Sequence, residues 1–355
     1  MASPSSIPEP EDLPAENTPG VSYVMPVLNE VDHVEAAVRS LINQDYPGDF
    51  EVVLALGPSV DGTNEILKAL ALAEPRLQLI ENTLGSTPGG LNAAIRVSRH
   101  PIVVRVDAHS VLPVEYTRIA VETLLRTGAD NVGGIMLAAG QSPFERAVAH
   151  AYGSRIGLGG TPHHVGGTEG PAETAYLGVF QRHRLIAVGL FDENIKRGQD
   201  WELNRRLRAS GGTVWFTPRL TVLYRPRSSL SALIRQFVAT GIWRGELSRR
   251  FPRSNSLRYF VPPITVIGVT IGLVLGALGV LERGETLSWL TALLVIPGTY
   301  FGAVVAASIG VIRADGFRAA RWFLVVLPCI HFGWGVGFLL GFLKLTRNIT
   351  LRTGR

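Results

Sequence analysis

Apolar and polar residues divide the chain into two parts with different patterns. From residue 21 to about residue 224, short apolar runs alternate with amphipathic stretches, which predicts strands alternating with helices. From residue 260 onward the apolar runs are long and almost free of charge. The pattern therefore predicts an α/β domain over residues 21–224 that is followed by hydrophobic helices.

The first half of the α/β part contains four predicted strands. They cover Val21 to Pro26, Phe50 to Leu56, Leu77 to Glu81 and Ile102 to Asp107. Amphipathic helices are predicted to end at about Asn43 and to run from near Thr63 to about Ala73. Because parallel strands need crossover connections, this alternation predicts a mostly parallel, Rossmann-like sheet with helices on both faces.

Polar residues follow each of these strands. They are Pro26 to Glu30, Asp61, Glu81 with Asn82, and Asp107 to His109. In parallel sheets ligands bind beyond the carboxyl ends of the strands, so we expect the four clusters to meet at one edge.

The stretch Arg105 to Ser110 carries the strongest candidate chemistry. Asp107 and His109 are two residues apart, and in an extended backbone both would lie on the same side. A carboxylate and an imidazole there could hold one divalent ion. The same triplet also occurs as a solvated strand end, so the metal hypothesis depends on the residues around it.

A glycine-rich loop, residues 85–94, is predicted to open into a helix and to bring Gly89 and Asn92 near a ligand. Glycines permit close backbone approach, and the first amides of a helix can accept an anion. The loop matches neither the Walker pattern nor the dinucleotide fingerprint, which argues against ATP hydrolysis and nicotinamide binding.

In the second half of the α/β part, the residue pattern predicts a strand from Thr174 to Arg182 and a helix that begins at or just before Asp200. In that helix Leu203 and Leu207 would face the core. Asp200 would then be either a functional carboxylate or an N-cap. The pair His163 and His164 is expected in an exposed loop, without an assigned role.

Charge and composition restrict the class of protein. Residues 1–20 are rich in Pro, Ser and Glu, and we expect a disordered lead-in without a signal peptide, with the chain starting in the cytoplasm. The single cysteine, Cys329, excludes an internal disulfide and a Cys-rich zinc site.

The net charge is only +5, but residues 225–259 form an arginine-rich belt in which Glu246 is the only acid. Its arginines are Arg225, Arg227, Arg235, Arg244, Arg249, Arg250, Arg253 and Arg258. Such a belt before apolar segments favours an anionic membrane surface or a pyrophosphate over nucleic acid.

Three apolar segments are predicted to form a membrane domain over residues 260–345, and a basic tail follows at 346–355. The segments are 260–281, 287–312 and 322–343. The arginines of the belt and of residues 313–321 should face the cytoplasm. Three full crossings would then put the basic tail outside, so the sequence leaves the side of the C-terminus open. The glycine-rich third segment could instead be re-entrant or packed tightly against its neighbours.

Four motifs together resemble the family 2 glycosyltransferases of GT-A fold. Residues 24–30, Val-Met-Pro-Val-Leu-Asn-Glu, are similar to the first-strand signature, and Asp61-Gly62-Thr63 to the Asp-Gly-Ser/Thr loop. Asp107-Ala108-His109 corresponds to the metal-binding Asp-x-Asp with its last acid changed to His. Gln199-Asp200 corresponds to the Glu-Asp pair that contains the catalytic base. Within the family, the chain most resembles the succinoglycan-type exopolysaccharide glucosyltransferases.

The resemblance implies an inverting, metal-dependent transfer of a sugar from a nucleotide donor, with a UDP-sugar favoured. Asp107 and His109 would hold Mn²⁺ or Mg²⁺, and Asp200 would be the base. The donor would be bound by Pro26, Glu30, Asp61, Gly89, Asn92, Arg105 and Asp107. Weaker candidates for the acceptor or its phosphates are Gln199, Trp201, Arg205, Arg206, Gln236, Trp243 and Arg244. Gln236 and Trp243-Arg244 would be a loosened counterpart of the Gln-x-x-Arg-Trp motif of processive synthases.

The architecture implies a multi-pass protein of the cell membrane with a cytoplasmic catalytic domain, a lipid-linked acceptor and no nucleic-acid partner. Two alternatives stay open: a polyprenyl-phosphate sugar synthase, and a non-catalytic membrane scaffold that keeps the fold. The apolar segments are too few for a polymer channel unless the chain forms oligomers. The donor sugar, the acceptor and the linkage are also left open.

Overall fold

The fold was analysed in a computed structural model that describes residues 18–195, 197–281 and 288–346. Most of the predicted lead-in, nearly all of the predicted basic tail and residue 287 lie outside these ranges. The chain divides into two compact units. The first contains the described residues up to Gly134 together with Glu169–Asn194 and Arg206–Leu220, and the second contains Ile135–Thr168, Ile195–Arg205 and the described residues from Thr221 onward.

The first four strands and three helices alternate as the sequence predicts. They are β1 (Val21–Val27), α1 (Val34–Ile42), β2 (Phe50–Leu56), α2 (Thr63–Ala73), β3 (Leu77–Glu81), α3 (Thr87–Val97) and β4 (Ile102–Arg105). The strand β4 is shorter than predicted, because the chain turns after Val106 and the amide of Ser110 donates to the carbonyl of Asp107 at 2.8 Å. The extended backbone assumed for Asp107 to His109 is therefore wrong.

Ten further helices and strands complete the α/β part. They are α4 (Tyr116–Thr127), β5 (Asn131–Ala138), α5 (Pro143–Tyr152), α6 (Arg155–Leu158), α7 (Pro162–Val165), β6 (Gly170–Pro171), β7 (Tyr176–Gln181), α8 (Arg182–Ala187), α9 (Gln199–Ala209) and β8 (Val214–Tyr224).

One eight-stranded sheet has the order β3-β2-β1-β4-β7-β5-β8-β6. The four strands β3-β2-β1-β4 are parallel, as predicted. The remainder is mixed, since β7 is antiparallel to both β4 and β5, and β6 is antiparallel to β8. An apolar strand pattern does not encode strand direction, so the sequence could not distinguish this half from a parallel continuation.

The core of the first unit follows from helix and strand periodicity. In α1 the buried residues are Val34, Ala37, Val38 and Leu41, which is one face of a helix. Each fully buried Val or Leu contributes about 1.5–3 kcal/mol. The buried hydroxyl of Tyr23 lies 2.7 Å from Oγ1 of Thr117, so this polar group is hydrogen-bonded inside the core.

Three long helices follow the sheet: α10 (Leu230–Arg250), α11 (Val261–Leu281) and α12 (Val295–Phe342). Short 3-10 turns lie at Pro252–Ser254, Leu257–Phe260 and Ser288–Leu294. Among the described residues, two helical stretches, Leu257–Leu281 and Ser288–Phe342, are long and apolar enough to cross a membrane.

The second and third predicted apolar segments both fall in the 48-residue helix α12. A straight helix of that length would measure about 72 Å, more than twice the thickness of a hydrocarbon core. Gly316 has φ 82° and ψ 171°, which interrupts the helix. These angles are available to glycine and not to other residues. The helix therefore consists of two legs, residues 295–315 and 317–342.

A seam of glycines joins α10 to the second leg of α12. A Cβ at Gly241 would meet the carbonyl oxygen of Trp334, and a Cβ at Gly337 or Gly341 would meet carbonyl oxygens of α10. Small residues allow helix backbones to approach this closely. The prediction that the glycine-rich third segment packs tightly against a neighbour is confirmed for this leg.

Candidate functional site

The parallel register brings the predicted polar clusters of the first unit to one edge of the sheet. Val27 lies beside Leu56, and Leu56 lies beside Glu81, so β1, β2 and β3 end at the same level. The amide of Val106 donates to the carbonyl of Val24 at 3.0 Å, which continues the β4 pairing toward Asp107. The expected convergence at the carboxyl edge is confirmed.

Asp61 fixes the loop after β2. Its carboxylate accepts hydrogen bonds from the amide and hydroxyl of Thr63, at 3.1 and 2.6 Å, and from the amide of Val31 at 3.2 Å. These bonds, above all the one from the Thr63 hydroxyl, lower the pKa of Asp61. The next residue, Gly62, has φ 93°, a left-handed conformation that favours glycine. Asp61 thereby ties the segment after β1 to the start of α2.

The glycine-rich loop lies directly against the end of β1. Ser86 caps α3 by accepting a hydrogen bond from the amide of Gly89 at 3.2 Å. A Cβ at Gly90 would lie 2.7 Å from Nδ2 of Asn82 and 2.9 Å from Cβ of Pro26. The two glycines thus permit a backbone approach that a larger residue would prevent.

Asn92 connects α3 to the segment after α8. Its amide nitrogen donates to the carbonyl of Phe191 at 2.9 Å and to Oε1 of Glu193 at 2.8 Å, and its oxygen accepts from the amide of Phe191. Asn92 is buried. These contacts favour a positioning role over direct contact with a donor.

Arg105 orients the carboxylate of Asp107. Its Nη2 lies 2.8 Å from Oδ1 of Asp107, and the two side chains are 6% and 20% exposed. A charge-assisted hydrogen bond at this depth fixes the carboxylate direction more firmly than a surface pair would. Arg105 was predicted to bind the donor, whereas its contact here is with the candidate metal ligand.

His109 lies beside Glu30. Nδ1 of His109 is 3.4 Å from Oε1 of Glu30, and both side chains are largely enclosed. Nδ1 is enclosed and forms no hydrogen bond with the described residues, so the two groups are close without being hydrogen-bonded. A carboxylate that accepts a hydrogen bond from one ring nitrogen orients metal-bound histidines, and Glu30 is the carboxylate that lies near enough to take that part. The amide of Glu30 also donates to the hydroxyl of Thr63 at 2.9 Å, which links this pair to the Asp61 loop.

These residues fit a hard or borderline divalent ion that a substrate would help to coordinate. Among the described residues, no three His, Cys, Asp or Glu side chains are grouped closely enough to hold a metal ion. Asp107 and His109 would supply one carboxylate oxygen and one imidazole nitrogen, which suit Mn²⁺ or Mg²⁺. Such a pair leaves most of the coordination sphere to water or to phosphate oxygens.

In the second unit, Asp200 lies in the first turn of α9, which begins at Gln199. The amide of Glu202 donates to the carbonyl of Gly198 at 3.0 Å, which identifies Gly198 as the N-cap. The N-cap interpretation of Asp200 is therefore wrong, and its carboxylate is at the second helical position. Leu203 and Leu207 are buried, as predicted.

Trp201 packs into an apolar cluster with Ile195, Leu247 and Phe251. The guanidinium of Arg244 lies 4.8 Å from the ring centre of Trp201 and 4.3 Å from that of Tyr259. These contacts hold the start of α9 against the end of α10. Trp201 is a packing residue in this arrangement, and Arg244 stacks on it.

The remaining acceptor candidates each have their own contacts. Arg205 lies over the ring of Phe251 and is 3.1 Å from Oε1 of Glu202. Arg206, in the first unit, donates to the carbonyls of Val188 and Leu190, which favours a structural role. Gln236 accepts from Nε of Arg227 at 3.0 Å, and Trp243 is half-buried on α10.

His163 and His164 are not exposed, contrary to the expectation. They form the centre of α7 and are half-buried, and the ring of Tyr152 lies 6.3 Å from that of His164. Burial, with Arg258 nearby, lowers the pKa of His163 to about 4. Burial, with His163 and Arg258, lowers the pKa of His164 to about 3.

Sequence patterns did not assign a role to Glu193 or to Arg197. Glu193 reaches Asn92 across 101 residues of sequence, and no local motif marks such a pair. Arg197 precedes α9 and lies outside the belt of arginines. Its position among aromatic hydroxyls and a second arginine becomes visible only in the folded unit.

Comparisons with known proteins agree with the sheet topology and the motifs. Residues 22–186 match the model of the family described as Glycosyl transferase family 2. A succinoglycan biosynthesis protein, ExoA of Rhizobium meliloti strain 1021, is 30% identical over 328 residues, covering 92% of this chain and 96% of that protein.

Two further proteins are more distant. A Methanococcus voltae dolichyl N-acetyl-alpha-D-glucosaminyl phosphate 3-beta-D-2,3-diacetamido-2,3-dideoxy-beta-D-glucuronosyltransferase is 22% identical, covering 65% of this chain and 74% of that protein. The mannosyltransferase PcManGT from Pyrobaculum calidifontis, solved with GDP-Man and Mn²⁺, superimposes with a TM-score of 0.57 at 17% identity. The superposition covers 94% of this chain and 89% of that structure, and it identifies the fold as GT-A-like.

Proposed function

This chain belongs to glycosyltransferase family 2, and from that premise we propose that it transfers a sugar from a nucleotide-sugar to a lipid-linked acceptor with inversion at the anomeric carbon. The observation that carries the proposal is the cluster at the carboxyl edge of β1 and β4, where Arg105 holds Asp107 and Glu30 lies beside His109. The similarity to a succinoglycan biosynthesis protein supports a place in polysaccharide or glycolipid assembly.

The donor's nucleoside would bind where Pro26, Glu30 and Asp61 converge, with a UDP-sugar favoured. Gly89 and Gly90 allow the start of α3 to lie against Pro26, which leaves backbone amides near the donor. Asn82 and Asn92 would position this loop, since their amides bond to the backbone of Ser86 and Phe191.

Asp107 and His109 would hold Mn²⁺ or Mg²⁺. When bound, that ion supplies positive charge to the diphosphate leaving group as the glycosidic bond breaks. Arg105 would set the direction of the Asp107 carboxylate, and Glu30 would set the orientation of the His109 ring. The solved PcManGT complex contains Mn²⁺, which supports a divalent ion in this fold.

Asp200 is the proposed general base. In the transfer, the acceptor oxygen forms a bond to the anomeric carbon while the bond to the diphosphate oxygen breaks, and the hydroxyl proton passes to the Asp200 carboxylate. Asp200 lies at the second position of the helix α9. Leu203 and Leu207 anchor the helix in the core and so fix where Asp200 is presented.

The acceptor is proposed to be lipid-linked, and the protein to be a multi-pass protein of the cell membrane with its catalytic part in the cytoplasm. Two apolar helical stretches and the arginine belt support membrane attachment. The second leg of α12 contacts α5 through Trp322 and Phe144, and α10 through the glycine seam. We therefore propose that this leg stays on the side of α5 and α10.

A screen of donors tests the proposal. Membranes containing the full chain would be incubated with UDP- and GDP-sugars, with Mn²⁺ and with chelator, and release of nucleoside diphosphate and labelled lipid would be measured. We expect one donor class to give metal-dependent transfer. The absence of transfer from every donor, with nucleotide binding that ignores Mn²⁺, would favour a non-catalytic scaffold.

A polyprenyl-phosphate sugar synthase is the alternative enzyme, with a lipid phosphate in place of the lipid-linked sugar as the acceptor. There the lipid phosphate itself attacks the sugar, and a phosphate oxygen needs no strong base. Asp200→Asn would then keep much of the activity, whereas it should abolish transfer to a hydroxyl.

A further inference from the structure

A compact group of cationic and aromatic residues lies in the second unit. Gln236 on α10 is its centre: its oxygen accepts from Nε of Arg227 at 3.0 Å, and its nitrogen donates to the hydroxyls of Tyr152 and Tyr224 at 3.1 and 3.3 Å. Tyr152 and Tyr224 stack with ring centres 5.8 Å apart. The group thus joins α5, the end of β8 and α10.

Arg197 belongs to the same group. Its Nη1 lies 3.5 Å from the hydroxyl of Thr240, one helical turn beyond Gln236. Burial, together with the charge of Arg227 nearby, lowers the pKa of Arg197, while the hydroxyls of Tyr224 and Tyr152 act in the opposite direction. The two arginines are therefore close enough for the charge of one to act on the other, and the side chains that they contact are neutral.

Neither arginine has an acidic partner among the residues that the structure describes. The described ion pairs include neither Arg197 nor Arg227, and the enclosed Nε of Arg197 lacks a hydrogen-bond partner there. Nδ1 of His164, beside Tyr152, is also enclosed without a partner among these residues. Partly buried guanidinium groups that repel each other are costly unless an anion joins them.

We infer that Arg197 and Arg227, with Tyr152, Tyr224, Gln236 and His164 around them, form a binding site for a phosphate or diphosphate group. The planar forks of two guanidinium groups match the oxygens of such a group, and the tyrosine hydroxyls can donate to it as well. Both arginines are half-buried, so the site is enclosed yet still reachable.

If the proposed function holds, this site would bind the phosphate or diphosphate group of the lipid-linked acceptor. A lipid carrier presents one or two phosphates at the membrane surface, next to the hydroxyl that receives the sugar. The group lies on α10, which packs along the second leg of α12, and hence beside an apolar helix. The same chemistry would also bind a free diphosphate, and the two sources need separate measurements.

The test measures binding without catalysis. The full chain in nanodiscs, with EDTA to exclude metal-mediated binding, would be titrated with inorganic pyrophosphate and with undecaprenyl diphosphate in phosphatidylcholine vesicles. Arg197→Gln and Arg227→Gln should each weaken binding about tenfold or more, since each removes charged hydrogen bonds. Arg208→Gln, which removes an exposed arginine on α9, should stay within about twofold of wild type.

Arg197→Lys keeps the positive charge but loses the planar guanidinium group. This variant should bind the diphosphate probes less tightly than the wild-type chain and more tightly than Arg197→Gln. Tighter binding of the lipid than of pyrophosphate would assign the site to the acceptor, and equal binding would assign it to a soluble diphosphate. Wild-type affinity in both Gln variants, or no binding of either probe to the wild-type chain, would overturn the inference.

The two proposals can fail separately. Asp107→Ala should lose sugar transfer and keep pyrophosphate binding under EDTA. Transfer that is absent from every donor, with binding still dependent on Arg197, would remove the proposed function and leave this site. Normal transfer in Arg197→Gln, with unchanged lipid KM and unchanged binding, would overturn the inferred phosphate site and leave the proposed function intact.

Discussion

Nδ1 of His109 lies 3.4 Å from Oε1 of Glu30, which joins the turn after β4 to the segment after β1. In the proposed metal site, Glu30 would act on the ligand His109. A neighbouring carboxylate can orient an imidazole and increase its basicity toward a metal, which is the part proposed for Glu30.

Glu30→Gln should weaken the activation of transfer by Mn²⁺ about 10- to 100-fold, the usual effect of losing such a partner. The measurement is the Mn²⁺ concentration that gives half-maximal transfer. Glu35→Gln is the matched control, since Glu35 is exposed on α1 and pairs with Arg39. Equal Mn²⁺ requirements in both variants would show that Glu30 does not act through the metal.

Gly90→Ala should raise the KM for the donor about tenfold and change kcat less. Its Cβ would lie 2.7 Å from Nδ2 of Asn82 and 2.9 Å from Cβ of Pro26, so α3 or the end of β1 must shift. In Gly170→Ala the new Cβ meets no atom of the described residues within 4 Å, and the KM should stay at the wild-type value. A normal donor KM in Gly90→Ala would separate this loop from donor binding.

Gly241→Val should destabilise the second unit by about 2–3 kcal/mol, because its side chain would collide with the backbone of α12 at Trp334. The measurement is thermal unfolding in detergent. Gly302→Val makes the same change on the first leg of α12, at a position with no described atom within 4 Å of an added Cβ. If both variants unfold at the same temperature, the glycine seam does not hold α10 to α12.

Acid should destabilise the second unit through His163 and His164. In the unfolded chain histidines titrate near pH 6.5, whereas in the folded unit burial lowers the pKa of His163 to about 4 and that of His164 to about 3. Between these values the unfolded chain binds more protons, so the free energy of unfolding falls as the pH drops below about 6.5.

Each histidine contributes at most about 1.4 kcal/mol per pH unit to this slope. Chemical denaturation between pH 7.5 and pH 5 measures it. The double variant His163→Asn, His164→Asn should show a flatter dependence than the wild-type chain. An identical slope would mean that the two histidines titrate alike in the folded and unfolded states.

The sequence pattern predicted the strands and helices whose ends are set by nearby turn residues. The strands β2 and β3 and the helix α2 occur at the predicted residues, because apolar runs are bounded there by turn residues such as Gly62. The meeting of the Asp61 and Asp107 segments at one edge also followed, since parallel strands align their carboxyl ends.

Contacts between residues far apart in the chain could not be predicted from the sequence pattern. The antiparallel direction of β7, the Glu30 and His109 pair and the bond from Asn92 to Glu193 each depend on residues far apart in the chain. The two predicted apolar segments correspond to the two legs of α12, but the charged residues 313–321 between them continue the helices instead of forming a loop. The break in α12 falls at Gly316 alone.

Asp107 is proposed to be part of a metal-dependent site for sugar transfer. The direct measurement is transfer of labelled sugar to lipid by wild-type chain and by Asp107→Ala, across a titration of Mn²⁺ after chelation. We expect Mn²⁺ to restore wild-type transfer, while Asp107→Ala stays at least about 100-fold lower at every concentration. Equal transfer by the two proteins, or wild-type transfer that persists under chelator, would contradict the account.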